Sequence, residues 1–264
     1  AFCSFVITML IFFILPRITL SVGGGGRWGG ASSGFSDVVD LAASGPVTRD
    51  NRVIMRVELP QSSQQPPSPL YWRGTSFSQW DGQTWKKDST VTKIAREKGG
   101  GVSLGRVKTT TRAIHQSIWL EPLGTDILFC LHPPLEIEGH FSHLLVDAGG
   151  GLHLPSPPVG RYHYEVYSAP HREEHMQHTF SERPKEEYLR LPAKQEKVVG
   201  LAQEIIAGAT APPEKVNRVI AYLHDHCQYS LDPQRDARFP PLEDFLLHSR
   251  EGYCEYFATA AALL

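Results

Sequence analysis

Residues 240–264 read PPLEDFLLHSREGYCEYFATAAALL, and they carry the strongest structural signal in the chain. A short helical turn is expected at 242–247, Gly252 breaks it, and Cys254 begins an apolar, Ala-rich helix. The backbone amides at a helix N-terminus stabilise a thiolate and can donate hydrogen bonds to an oxyanion. The pattern makes Cys254 a candidate nucleophile; the alternative is a small core residue, which is common for a cysteine that enters an apolar helix.

Two amphipathic helices are predicted upstream of this segment. Pro212-Pro213 ends the first and opens the second, because proline is tolerated in the first turn of a helix but not in its interior. Each helix is expected to bury one apolar face. The residues of these faces are Val198, Leu201, Ala202, Ile205 and Ala209 in the first helix, and Val216, Val219, Ile220, Leu223 and Cys227 in the second.

A β-rich module is predicted over residues 35–170. Short alternating segments separated by Gly and Pro predict strands at 53–59, 112–119, 127–131, 135–141, 143–147 and 161–167. Asp81-Gly82 is a strong turn dipeptide, and Trp80 and Trp85 on either side of it indicate a hairpin. We expect the two tryptophans to pack this hairpin rather than to form a ligand platform. Several short strands of this kind favour a small sandwich or a barrel-like module.

The two ends of the chain have the pattern of a fragment. Residues 1–17 contain the apolar run FCSFVITMLIFFIL, which is shorter than the roughly 20 residues that span a bilayer. We interpret it as the end of a transmembrane helix; a signal sequence and a buried core segment are the alternatives. Residues 18–34 are predicted to be a Gly-rich linker, and residues 171–189 a polar connector. The last seven residues, ATAAALL, continue a helical pattern, and no capping residue, Gly or Pro ends it.

Composition excludes several classes of protein. The chain has 264 residues, with 26 Lys and Arg against 28 Asp and Glu, so its formal net charge of −2 excludes a strongly basic nucleic-acid binder. The hydrophobic fraction of 41% is sufficient for a core and excludes a disordered acidic tail. Four cysteines are too few for a disulfide scaffold of this size.

The motifs together resemble a known family. The run Gly252–Ala258, GYCEYFA, resembles the nucleophile motif of the bacterial transglutaminase-like superfamily, and PLEDFLL and the helices at 193–227 resemble the segments before it. Further upstream, the resemblance is to the TgpA type of membrane-anchored transglutaminase-like protein, and it covers nearly the whole chain. It rests on Pro16-Arg17, the GFSD run at 34–37, the strand VIMRVEL, Tyr71-Trp72-Arg73-Gly74, Trp80-Asp81-Gly82 and Trp85.

This resemblance implies an α+β protein in three parts. The end of a transmembrane helix is followed by a β-rich extracytoplasmic module, and residues 190–264 form the first helices of a papain-like transglutaminase core. Residues from about 18 onward would therefore lie outside the cytoplasm, in the periplasm or the extracellular space.

The resemblance also implies covalent catalysis. Cys254 would attack a glutamine carboxamide of a protein or peptide substrate and release ammonia, and the thioester would pass to an amine or to water. The family's His and Asp follow the Cys in chain order, so none is assigned, and these 264 residues alone are expected to be inactive. No metal or other cofactor is implied, and no acidic calcium loop of the D-x-D-x-D-G type occurs. A cysteine protease or amidase on the same fold and a non-catalytic binding module are the alternatives; the oligomeric state is left open.

Other candidate sites receive a structural interpretation. His171-x-x-Glu174-His175, with His178 nearby, matches a zinc-protease pattern, but it lies in a polar segment that is expected to be solvated. Glu255 is expected to have a supporting role rather than to act as a general base. Surface or packing roles are predicted for His140, His143, His224, His226 and His248, and buried free thiols, rather than a disulfide, for Cys130 and Cys227. Gly23–Gly26 has neither the strand nor the Lys of a phosphate-binding loop.

Overall fold

The computed structural model describes residues 38–43, 51–60, 69–97, 100–105, 113–169, 188–193 and 195–264. Within these ranges the helices are α1 Glu196–Ile205, α2 Pro212–His226, α3 Pro241–Glu243 and α4 Cys254–Leu263, and a π-helical turn, Asp244–His248, continues α3. The strands are β1 Val39–Asp40, β2 Met55–Glu58, β3 Trp72–Arg73, β4 Gln79–Trp80, β5 Thr84–Lys86, β6 Val91–Ala95, β7 Gly101–Ser103, β8 Ile114–Leu120, β9 Ile127–Leu128, β10 Cys130–Leu131, β11 Pro134–Gly139, β12 His143–Asp147, β13 Leu152–His153, β14 Tyr162–Ser168, β15 Gln228–Tyr229 and β16 Glu251–Gly252.

A β-sandwich forms the first core, as the alternating pattern predicted. One antiparallel sheet has the strand order β2-β8-β14-β11-β7, and the other has the order β6-β12-β13-β9. One buried cluster draws on both sheets; it includes Ile118, Ile137, Leu144, Val146 and Val166.

The predicted strand at 127–131 is divided between two sheets. Its first part, β9, pairs with β13, and its second part, β10, pairs with β3. The Tyr164 hydroxyl accepts from the Phe129 N–H at 3.0 Å and donates to the Phe129 carbonyl at 2.8 Å. Because the Tyr164 hydroxyl bonds both backbone groups of Phe129, the chain can pass from one sheet to the other at this residue without leaving a buried polar group unpaired.

The helices form the second core together with a small sheet from the N-terminal half of the chain. This sheet has the strand order β1-β5-β4, and it contains the predicted hairpin with the Asp81-Gly82 turn. Its Leu41 and Trp80 are buried in the helical cluster, whose other members are Val198, Val219, Leu223, Leu242, Phe245, Leu246, Tyr253, Tyr256 and Ala260. The hairpin thus packs against the helices, a position that the sequence pattern did not indicate.

The buried face of α2 is narrower than predicted. Val219 and Leu223 are buried, whereas Val216 is 56% exposed and Ile220 is 55% exposed. The prediction that Val216 and Ile220 belong to the buried face is wrong. The physical reason is that the packing of α2 against α1 and α4 covers Val219 and Leu223 and leaves Val216 and Ile220 in solvent.

No described helix has the length and apolar character needed to cross a membrane. The predicted end of a transmembrane helix at 1–17 and the linker at 18–34 lie outside the described residues, as do residues 171–187 of the connector predicted over 171–189. The zinc-protease pattern at His171–His175 lies outside them as well.

Candidate active site

Cys254 is the first residue of α4, as predicted. The preceding Tyr253 is extended, with φ −101° and ψ −174°, so the chain changes to a helix at the cysteine itself. The segment before it, β16, pairs in parallel with β15 and is thereby held against the end of α2. The Cys254 side chain is exposed, which distinguishes it from the buried Cys130. Among the described residues, Cys254 is thus not packed into either of the two hydrophobic cores.

Gly252 allows the chain to approach α4 closely. A Cβ atom at this position would lie 2.7 Å from the Tyr256 Cβ and 2.9 Å from the Phe245 Cε2. Both neighbours are buried, and any side chain at 252 would displace them. Arg250 has a φ of +56°, and this left-handed residue reverses the chain between the π-helical turn and β16. The glycine that breaks the helical pattern in the sequence is thus required by packing.

A groove of about 390 Å³ opens beside Cys254. One wall comes from α4, and the other comes from the small sheet and the segment before it. The lining residues are Val39, Phe77, Trp85, Cys254, Glu255, Ala258, Thr259 and Ala262. The groove therefore joins residues that lie more than 170 positions apart in the sequence.

Trp85 is held in place on both sides. Its Nε1 donates to the Thr259 Oγ1 at 2.9 Å, and its ring centroid lies 5.4 Å from that of Trp80. The expectation that Trp80 and Trp85 pack the hairpin is confirmed. The sequence did not indicate that Trp85 also lines the groove, and no local pattern could have shown it, because Thr259 is 174 residues away.

Two hydrogen bonds to the turn after β1 hold the groove wall that contains Val39. The Tyr256 hydroxyl donates to the Leu41 carbonyl at 2.7 Å, and both residues are buried. Arg235 adds a bond of 3.4 Å from its Nη1 to the Ala42 carbonyl. The first bond ties the turn after β1 to α4, and the second ties the same turn to the segment between β15 and α3.

The polar end of the groove is acidic. Glu255 is partly buried, and burial raises the pKa of its carboxyl, with a further increase from the negative charge of Asp40. Burial is also the main reason why the pKa of the Tyr253 hydroxyl is raised, and the Glu255 charge adds to it. Glu255 lines the groove next to Cys254, and the supporting role expected for it stays a prediction.

Among the described residues, no histidine lines this groove. His248 stacks on Phe239 with centroids 3.7 Å apart, and His226 stacks on Tyr222 at 4.3 Å. His224 is exposed beside Asp225. The packing and surface roles predicted for these three histidines are confirmed.

Cys130 and Cys227 are free thiols in separate cores. Burial raises the pKa of Cys130 to about 12, and it also raises that of the partly buried Cys227. Burial disfavours the thiolate, which is the reactive form, and this is typical of structural cysteines. Within the described ranges, no three His, Cys, Asp or Glu residues are arranged to hold a metal ion.

Comparisons with known proteins find two family models that match this chain. Residues 1–174 match the TgpA N-terminal domain family, and residues 199–264 match the transglutaminase-like superfamily. No curated protein matches the chain.

Two crystal structures of the periplasmic domain of TgpA from Pseudomonas aeruginosa have the same fold. One, bound to ethylmercury, has a TM-score of 0.60 and 20% sequence identity, covering 87% of this chain and 77% of that one. The other has a TM-score of 0.62 and 21% identity, covering 87% of this chain and 75% of that one.

Proposed function

Because the chain belongs to the TgpA N-terminal domain family and continues into a transglutaminase-like region, we propose that it is a transglutaminase-like cysteine enzyme. Its substrates are glutamine carboxamides, or related amides, of proteins or peptides in the cell envelope. Cys254 Sγ attacks the carboxamide carbon, the C–N bond breaks, and ammonia leaves. The thioester then passes to an amine, which gives an isopeptide bond, or to water, which gives deamidation.

The observation that carries this proposal is the place of Cys254. It is an exposed thiol at the first position of a ten-residue helix, and it lines a groove large enough for a side chain. Backbone amides at the helix N-terminus can donate to the oxyanion of a tetrahedral intermediate. A structural cysteine needs none of these features.

The same proposal includes the location of the protein. The apolar run at 2–15 anchors it in a membrane, and the rest of the chain lies on the extracytoplasmic side. The solved relatives are periplasmic domains, which supports this side of the membrane. Reaction of a membrane-impermeant thiol reagent with Cys254 in intact cells would test this orientation, whereas labelling only after lysis would contradict it.

The function is tested on the whole product of the gene in membranes. A blocked glutamine dipeptide is added, ammonia release is measured, and the acyl group on Cys254 is sought by mass spectrometry. We expect Cys254→Ser to abolish the thioester. Cys227→Ser is the matched control, because Cys227 is also a free thiol near α4 but does not line the groove.

The alternatives predict different results in the same experiment. Cleavage of a peptide bond without isopeptide formation would favour a cysteine protease or amidase on the same fold. Absence of any thioester on Cys254, in a correctly folded and membrane-inserted protein, would contradict the proposal and favour a non-catalytic binding module.

A further inference from the structure

The Tyr71-Trp72-Arg73-Gly74 motif begins a segment that runs from one core to the other. Its strand β3 pairs with β10 beside the sandwich core, and the Trp72 Nε1 donates to the buried Gln116 Oε1 at 3.1 Å. Further along the segment, Trp80 is buried among the helices. Phe77 lies between these two anchors and lines the groove of the candidate active site. The motif therefore anchors the stretch of chain that supplies one wall of the groove.

Arg73 holds this segment against a turn of the sandwich. Its Nη2 donates to the Gly149 carbonyl at 2.5 Å, and its Nη1 donates to the His132 Nε2 at 3.2 Å. Gly149 belongs to the turn between β12 and β13. Ser76 packs on the same glycine, because a Cβ atom at position 149 would collide with the Ser76 Oγ. Contacts at positions 73 and 76 thus fix the chain immediately before Phe77.

The turn that accepts the Arg73 hydrogen bond is itself closed by hydrogen bonds. The Asp147 N–H donates to the Gly151 carbonyl at 3.0 Å, and the Gly150 N–H donates to the Asp147 carbonyl at 3.0 Å. The Asp147 carboxylate also accepts from the Gly151 N–H at 2.7 Å. The turn is therefore held by the sandwich, and its Gly149 carbonyl is a fixed point to which the guanidinium attaches the segment.

We propose that Arg73 is a positioning residue for the Cys254 site, and that it acts through Phe77, which determines specificity. By bonding the Gly149 carbonyl, the guanidinium sets where Phe77 stands in the groove. The inference rests on the proposed function and adds a substrate class to it. Phe77 and Trp85 make the groove wall apolar, so the preferred substrate is an amide whose neighbouring group is apolar.

The guanidinium suits this role because it is a planar fork with several donors. It bonds an acceptor after β10, His132, and an acceptor after β12, Gly149, at the same time. A side chain with one bond would let the segment pivot about that bond. Displacement of a group in an active site by about 1 Å is enough to change a reaction rate strongly. The loss of one hydrogen bond at Arg73 should therefore alter selectivity at Cys254.

The test compares two thiol reagents and needs no turnover. N-benzyl iodoacetamide carries an aromatic group that suits the apolar groove, and iodoacetamide carries none. Both are applied to the whole gene product in membranes, and their second-order rate constants at Cys254 are measured by mass spectrometry. Phe77→Ala is expected to lower the ratio of the two rate constants about tenfold, and Arg73→Met about three- to tenfold. General loosening of the fold changes both rate constants alike and leaves the ratio constant.

Two further variants define the role of the guanidinium. Arg56→Met is the matched control, because Arg56 lies on β2 and pairs with Glu121 at 3.1 Å, and it should leave the ratio unchanged. Arg73→Lys should give a ratio between those of the wild type and Arg73→Met, since an ammonium group lacks the fork that bonds both acceptors. Hydrogen exchange of the β8 and β14 amides reports whether each variant is folded. A wild-type ratio in folded Arg73→Met overturns the proposal; if that variant does not fold, a wild-type ratio in Arg73→Lys overturns it.

Turnover separates this inference from the proposed function. Blocked glutamine peptides with leucine or serine beside the glutamine are compared by ammonia release. Arg73→Met should raise the KM for the leucine peptide about three- to tenfold and leave the kcat and the serine peptide unchanged. If the wild type releases no ammonia but the reagent ratio falls as expected, the proposed function fails and the positioning role stands. If ammonia is released and the reagent ratio of Arg73→Met equals that of the wild type, the positioning role is refuted and the proposed function stands.

Discussion

Replacing Gly252 with alanine tests how the chain positions the start of α4. The added Cβ would lie 2.7 Å from the Tyr256 Cβ, about 0.7 Å short of an ordinary contact. Tyr256 is 4% exposed and Phe245 is fully buried, so neither can move aside freely. Overpacking of this kind costs about 1–3 kcal/mol. We therefore expect Gly252→Ala to destabilise the helical core by that amount.

Native-state hydrogen exchange read by mass spectrometry measures this effect locally. A loss of about 1–3 kcal/mol should speed exchange of the α4 amides roughly 5- to 150-fold. Amides of β8 and β14 lie in the separate sandwich core and serve as an internal reference.

Gly200→Ala is the matched control for this substitution. Gly200 lies inside α1, and a Cβ there would meet nothing within 4 Å. Alanine should therefore stabilise this helix by about 0.5–1 kcal/mol, because glycine is the more flexible residue in the unfolded chain. The reasoning is refuted if both variants change exchange in the same direction, or if Gly252→Ala leaves the α4 amides unchanged.

Three further predictions concern contacts away from this glycine. The Asp147 carboxylate accepts a hydrogen bond from His153, and this bond raises the pKa of the imidazole above its ordinary value of 6.5. The bond stabilises the fold while His153 is protonated, and this contribution is lost as the pH rises through the raised pKa. We therefore expect His153→Gln to flatten the fall in the urea midpoint as the pH rises through that pKa, and an unchanged fall would contradict this. Tyr256→Phe leaves the buried Leu41 carbonyl without the hydroxyl that donates to it at 2.7 Å, which should lower the free energy of unfolding of the helical core by about 1–3 kcal/mol. The loss would be measured as faster hydrogen exchange of the α4 amides, and unchanged exchange there would contradict the prediction. Gln116→Leu removes the amide oxygen that accepts two N–H groups inside the sandwich, and it should lower the sandwich melting temperature while the α4 exchange rates stay constant.

The local elements of this protein follow from its sequence. The start of α4 at Cys254 is set by a glycine, an extended residue and an apolar run that are adjacent in the chain, and α2 begins at Pro212 because proline suits the first turn of a helix. The strands β8, β12 and β14 follow from alternation with a period of two residues. Each of these signals lies within a few residues of the element that it specifies.

The candidate nucleophile was likewise predicted from the sequence, but the groove around it was not. Cys254 is part of a short contiguous motif. Phe77 and Trp85 reach the groove because the hairpin packs on the helices, and the Trp85 contact to Thr259 spans 174 residues. Pairing between distant segments depends on the path of the intervening chain, which periodicity does not encode.

Residue types and periods thus determined the strands β8, β12 and β14, the start of α2 and the thiol at the start of α4. Tertiary packing alone decided that Val216 and Ile220 are exposed, because their burial depends on which neighbour α2 meets. It also brought Val39, Phe77 and Trp85 beside α4 and so created the groove next to Cys254. The physical reason is the same in both cases: local structure arises from contacts between near neighbours in the chain, whereas a site arises from surfaces that meet only after the chain has folded.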